Sequence, residues 1–141
     1  MALDLGTENA GLPGASTGVE SDPGYPLAGR CVVVGIPFDE NSSFLRGPAG
    51  APARIREALH CGSANLSTEL GVDLSAHDGW QDIGDLRLPE GPGAMGEIER
   101  EVDALLRRGA RVLSLGGDHS ISYPLLRAHA RHYPDLTILH L

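Results

Sequence analysis

The chain has 141 residues, enough for one domain with a buried core but short for a large α/β enzyme. Its formal net charge is −8, and its eleven cations are all arginines spread without a basic stripe, which argues against nucleic acid or an anionic membrane as the main partner. With 41% apolar but only 4% aromatic residues, the core must be built from Ala, Leu, Val and Ile. Cys31 and Cys61 are too few for a disulfide framework or a metal knuckle, and both are expected to stay reduced, Cys31 as a buried thiol. The N-terminus lacks a basic segment followed by an apolar one, and no run approaches the ~18 apolar residues of a membrane span. These features predict a soluble, cytoplasmic protein.

Residues 1–28 are rich in Gly, Pro, Ser and acid, without periodicity, and read as a flexible N-terminal tail. Residues 29–141 carry the domain. "CVVVGIP" is continuous and β-branched, the pattern of a strand buried on both faces. The polar loop "DENSSFLRGPAG" follows, then a helix with Pro52 in its first turn, Ile55, Ala58 and Leu59 as its apolar stripe, and Gly62 as its stop. "GWQDIGD" is a weaker strand ending in Asp82 and Asp85. "AMGEIEREVDALLRRG" is the clearest helix: Met95, Ile98, Val102, Leu105 and Leu106 form one stripe, acids crowd the first turns, and Gly109 caps the end. "RVLSL" is a strand, Ser120 caps the helix "SISYPLLRAHARHY", and "LTILHL" is a fourth strand. This alternation predicts an α/β fold with a parallel sheet and helices on its faces.

Ligands of open parallel sheets bind beyond the carboxyl ends of the strands, where "GGDH" stands. Gly116 and Gly117 permit backbone angles and close approaches that a Cβ forbids. A neutral His119 imidazole there suits a divalent metal, with Asp118 orienting its surroundings, while a histidine simply hydrogen-bonded at a strand-helix corner is the structural alternative. Asp39, Glu40, Asn41, Ser42, Ser43 and Arg46 cluster after the first strand, suited either to a polar substrate or to local turn chemistry. His129 and His132 share a helix face and read as solvated, and Asp82 and Asp85 as cap and loop residues. His140 alternates with Leu139 and Leu141. Nucleotide-binding glycine motifs, a Walker lysine and a nucleophile elbow are absent.

"GIPFDENSSFLRGPAGAPARIREAL", "QDIGD" and "VLSLGGDHSISYPLL", in register with "LTILHL", closely resemble the ureohydrolase family of arginases and agmatinases, nearest the plant-arginase-type branch. The resemblance implies a three-layer α/β fold with an eight-stranded parallel sheet, of which about four strands are expected here. It also implies two Mn²⁺ ions, hydrolysis of a small guanidino substrate such as agmatine or arginine to urea and an amine, and a homo-oligomer for the complete protein. Carried over by position, His119 is a manganese ligand. Asp118, Asn41, Ser42 and Ser43 are weaker candidates for substrate or supporting contacts, and Gly116 and Gly117 belong to the structural motif. The family's Asp-Ala-His-x-Asp and Asp-x-Asp ligand motifs have no counterpart in the sequence, so one ligand of six is expected. The chain therefore reads as the N-terminal part of a ureohydrolase, inactive by itself. The alternative from another class is a non-catalytic half-domain that acts as an interaction module.

Overall fold

The apolar run Cys31–Gly35 forms β1, the centre of a three-stranded parallel sheet with β2 (Trp80–Asp85) on one side and β3 (Arg111–Leu115) on the other. The computed structural model describes residues 27–140. Three helices accompany the strands: α1 (Ala51–Leu59), α2 (Gly93–Arg107) and α3 (Ser122–His132), with 3-10 turns at Pro48–Gly50 and His119–Ile121. The predicted alternation of strand and helix is therefore present through α3.

Side chains on a strand alternate faces, and β1 shows what each face meets. Val32 and Val34 point into a cluster with Ile98, Val102, Leu105 and Leu106 of α2 and Ala128 of α3. The α2 members are the stripe predicted from periodicity. Gly109, with φ +80°, ends that helix in the left-handed conformation a glycine adopts without strain. On the other face, a Cβ on Gly35 would meet Asp85 and the Arg56 guanidinium of α1.

Five expectations are corrected. Leu136–His140 forms no strand: β3 is the edge of the sheet, and without a neighbour to complete its ladder the segment leaves Leu139 81% exposed. Among the described residues the sheet thus has three strands rather than four. In α1 the stripe Ile55, Ala58 and Leu59 is not buried, Ile55 being 44% exposed; the helix turns Pro52 and Arg56 inward because the strand beneath ends in acids. The first turn of α2 holds no acid, the first being Glu97. Leu27, assigned to the tail, is 4% exposed and joins the core; residues 1–26 lie outside the described residues. Cys31 is only partly buried and Cys61 is exposed, both as free thiols.

The acids at the end of β2 are placed by a bulge. Val33 pairs with Asp82 and Gly35 with Asp85, so the register slips by one residue, at Gly84 with φ +81°. Two carboxylates three residues apart, which a regular strand would send to opposite faces, thus share one. Arg56 holds Asp82 with two bonds, Nε to Oδ2 at 2.7 Å and Nη2 to Oδ1 at 2.8 Å, and its Nη1 bonds Asp85.

A second polar seam joins α2 to α3. Glu99 pairs with Arg127 at 3.3 Å and with Arg131, and Asp103 meets His132 at 2.8 Å and Arg107 at 3.3 Å. The His132 hydrogen bond, aided by Arg107, holds the Asp103 carboxyl below its ordinary 3.8. Burial raises the pKa of Asp82, but the Arg56 bonds and the Gly84 N–H outweigh it, so that carboxyl is also lowered from 3.8. A lowered folded-state pKa contributes stability above the unfolded value and loses it as pH falls through the folded one. The urea midpoint is therefore expected to hold from neutrality to about pH 4 and fall below it. The double variant Asp82→Asn, Asp103→Asn should show a flatter acid limb, starting from a lower midpoint.

Candidate functional site

At the carboxyl end of β3 the chain turns sharply through Gly116, Gly117, Asp118 and His119. The segment after β1 lies directly against this corner: the Asp118 N–H donates to the Phe38 carbonyl at 2.8 Å, and a Cβ on Gly117 would stand 1.8 Å from that oxygen. At Gly116 a Cβ would meet only the tip of Ile121, at 2.8 Å. Neither glycine has a positive φ, so close approach, and not an unusual backbone angle, is what the motif requires.

Asp118 is 8% exposed, the one buried charged side chain among the described residues. Its Oδ1 accepts from the Ser120 N–H at 2.9 Å and from the Ser120 hydroxyl; its Oδ2 accepts from the Asn41 N–H at 3.0 Å and the Ser42 hydroxyl at 3.4 Å. Asn41 Nδ2 also donates to Ser120 Oγ at 3.2 Å. Asp118, not Ser120 as predicted, is therefore the capping residue of the turn that leads into α3. One carboxylate joins the loop after β1 to the corner after β3. Asp118→Ala removes the cap and leaves the Asn41 N–H without its acceptor. It is expected to lower unfolding free energy by about 1–2 kcal/mol, read from urea denaturation.

The polar loop divides between the two roles considered for it. Asp39 serves its own turn, accepting from Gly47 N–H at 2.7 Å and Ala49 N–H at 3.3 Å with Arg46 at 3.5 Å, contacts that lower its pKa. Glu40 reaches across to the Gly91 N–H at 3.0 Å, fastening the loop to the entrance of α2. Asn41 and Ser42 face the corner. Ser43 is exposed and makes no hydrogen bond to it.

His119 is exposed at the rim, its ring centre 5.4 Å from that of His140 and tilted by 32°. His140 thus meets an imidazole instead of sitting in a strand. Among the described residues no group of three or more His, Cys, Asp or Glu could hold a metal ion. Asp118 is committed to the backbone around it, Asp82 and Asp85 to Arg56, His132 to Asp103, and the His129 Nδ1 to the Leu125 carbonyl at 2.8 Å. These residues do not fit a two-metal centre by themselves; His119 stands exposed at the corner with the His140 ring beside it. The Arg56 cluster escaped the sequence reading because the bulge that assembles it depends on strand pairing; the Gly84 between two acids was its one signal.

Parallel strands with crossover helices, and a glycine corner presenting a histidine beyond a strand's carboxyl end, define an α/β protein of the kind that gathers ligands at strand ends. The Arginase family model matches residues 29–141, and the chain belongs to the arginase family. It is 44% identical over 109 residues to arginase 1, mitochondrial, of Oryza sativa subsp. indica, covering 72% of this chain and 32% of that protein. To the agmatinase of Bacillus anthracis it is 36% identical over 125 residues, covering 87% of this chain and 42% of that one. The arginase from Medicago truncatula superposes with a TM-score of 0.72 at 34% identity, over 80% of this chain and 38% of that one. The chain therefore spans about a third to two fifths of the relatives it matches. No helix among the described residues is long and apolar enough to cross a membrane.

Proposed function

We propose that this chain is the N-terminal part of a manganese-dependent hydrolase that splits a small guanidino compound, agmatine or arginine, into urea and an amine, and that it does not turn over by itself. The observation that carries this reading is the corner at the end of β3, where Asp118, buried and bonded to both flanking segments, holds an exposed His119 beyond the strand in a chain of the arginase family. In this reading His119 is a metal ligand of the complete protein. Gly117 lets the segment after β1 close on the corner after β3, and Asp118 fixes the path of the backbone that carries the imidazole. Asn41 and Ser42 reach the site through Asp118, and contact with substrate is left to residues elsewhere. The homo-oligomer belongs to the complete protein. The two free thiols suit a reducing compartment such as the cytoplasm, although the rice relative is named as mitochondrial.

Incubated with Mn²⁺ and either agmatine or arginine, the 141-residue chain is expected to release no urea, and free Mn²⁺ followed by electron paramagnetic resonance should show no ion retained at micromolar protein. A chimera extended with the unmatched part of the Bacillus anthracis agmatinase is expected to release urea, and His119→Ala in that chimera to reduce the rate about 100-fold or more. Turnover by the chain alone overturns the inactivity, and an inert chimera overturns the assigned chemistry.

A further inference from the structure

Asp78–Gly79 is the one place in the sequence where an aspartate or asparagine precedes a glycine. Glycine carries no Cβ to shield its amide nitrogen, so the side-chain carboxyl of the residue before it can come within bonding range of that nitrogen. The pair lies in the turn that leads into β2, at the end of the sheet where Cys31, Trp80 and Arg111 are aligned, opposite the end that carries the glycine corner.

The two groups that would react there are held differently. Asp118 and Asp82 are fixed by bonds of 3.0 Å or less, whereas the Asp78 side chain is 90% exposed, with Arg30 Nη2 at 3.8 Å, beyond hydrogen-bond distance. The Gly79 N–H, by contrast, donates to Nδ1 of His77 at 2.9 Å. A ring nitrogen that accepts a hydrogen bond carries no proton and can take one, so a base already touches the backbone nitrogen. The ring also lies close against the glycine: a Cβ on Gly79 would stand 2.7 Å from Nδ1, and any side chain there would displace the imidazole.

We infer that His77, Asp78 and Gly79 form a self-modification site, at which Asp78 converts to isoaspartate through a cyclic imide. The Gly79 nitrogen attacks Cγ of Asp78 while Nδ1 of His77 takes its proton. The N–Cγ bond forms, the Cγ–OH bond of the protonated carboxyl breaks, and the hydroxyl leaves with the proton from His77 as water. Water then opens the imide at either carbonyl. Breaking N–Cγ restores the aspartate; breaking the bond to the main-chain carbonyl carbon frees an α-carboxylate and sends the chain through Cβ and Cγ. No oxidant, cofactor or metal takes part, so the site is independent of the proposed hydrolase chemistry. The main chain gains one carbon just before β2. Because the Gly79 carbonyl accepts the Cys31 N–H at 2.9 Å and Cys31 pairs with Trp80, that carbon falls where β1 and β2 begin.

The test ages the folded 141-residue chain at neutral pH and physiological temperature. Isoaspartate is counted by methyl transfer from S-adenosylmethionine with an isoaspartyl methyltransferase and located by electron-transfer fragmentation of the peptides. It is expected at Asp78. His77→Ala, a change at an exposed side chain, is expected to slow its formation about threefold or more. Asp78→Glu, whose imide would be a six-membered ring, is expected to abolish it. In urea, where the imidazole is no longer held at Gly79, the original chain and His77→Ala should age at one rate. In the modified fraction the Cys31 amide should exchange about fivefold or more faster, as one lost hydrogen bond implies. No isoaspartate at Asp78 in the folded chain overturns the site. Equal rates for folded His77→Ala and the original chain assign the reaction to the dipeptide alone and overturn the part given to His77, as does a difference that persists in urea. Unchanged exchange at Cys31 overturns the link to the sheet.

Discussion

Gly117→Ala is expected to lower unfolding free energy by about 3 kcal/mol or more, the larger of the two glycine effects at the corner. The added Cβ would stand 1.8 Å from the Phe38 carbonyl oxygen and 2.7 Å from its carbon, closer than atoms approach without moving the backbone. That carbonyl also accepts the Asp118 N–H, so separating the two segments breaks a bond as well as a contact and disturbs the carboxylate that caps the next turn. Gly116→Ala is the control. Its Cβ meets the terminal carbon of Ile121, which changes rotamer at a cost of about 1 kcal/mol or less. Urea denaturation by circular dichroism measures both. Equal losses at the two positions would overturn the close approach of the Phe38 carbonyl to Gly117 as the cause, because the reduced freedom of the unfolded chain acts to stabilise both alanine variants alike.

The contrast between those glycines also indicates what the sequence could carry. "CVVVG" and "RVLSL" read correctly as strands and the α2 stripe as a buried face, because each depends on the spacing of its own residues. Asp118 and His119 were legible as a corner because the glycines mark it. The sequence favours Ser120 as the cap since Ser commonly takes that role, whereas the structure gives it to the residue two positions earlier, whose carboxylate also serves Asn41, 77 residues away. That bond has no local signature. "LTILHL" differs for the opposite reason: its composition suits a strand, but a strand is completed by a neighbour's hydrogen bonds, and among the described residues the sheet ends at β3. The apolar stripe of α1 likewise gives way to tertiary context, because the carboxylates beneath the helix turn Arg56 inward.

Arg56→Ala is expected to lower stability by about 2–4 kcal/mol and the melting temperature by about 8–15 °C. The Arg56 side chain is 20% exposed, and its guanidinium holds Asp82 by two bonds while also reaching Asp85. Its removal leaves two carboxylates on one face of β2, brought there by the bulge, Asp85 pressed against Gly35, with no cation between them. Part of the cost is therefore repulsion and desolvation newly exposed, and not only bonds lost. The cycle of Arg56→Ala, Asp82→Asn and the pair separates these terms: if the carboxylate pair is the problem, Asp82→Asn in the Arg56→Ala background recovers part of the loss. Arg56→Lys is expected to fall between, because an ammonium restores the charge but not the two-pronged fit to Asp82. A lysine variant as stable as the original would reduce the cluster to simple charge balance. An alanine variant as stable as the original would remove the clamp from the account of how α1 is held against β2.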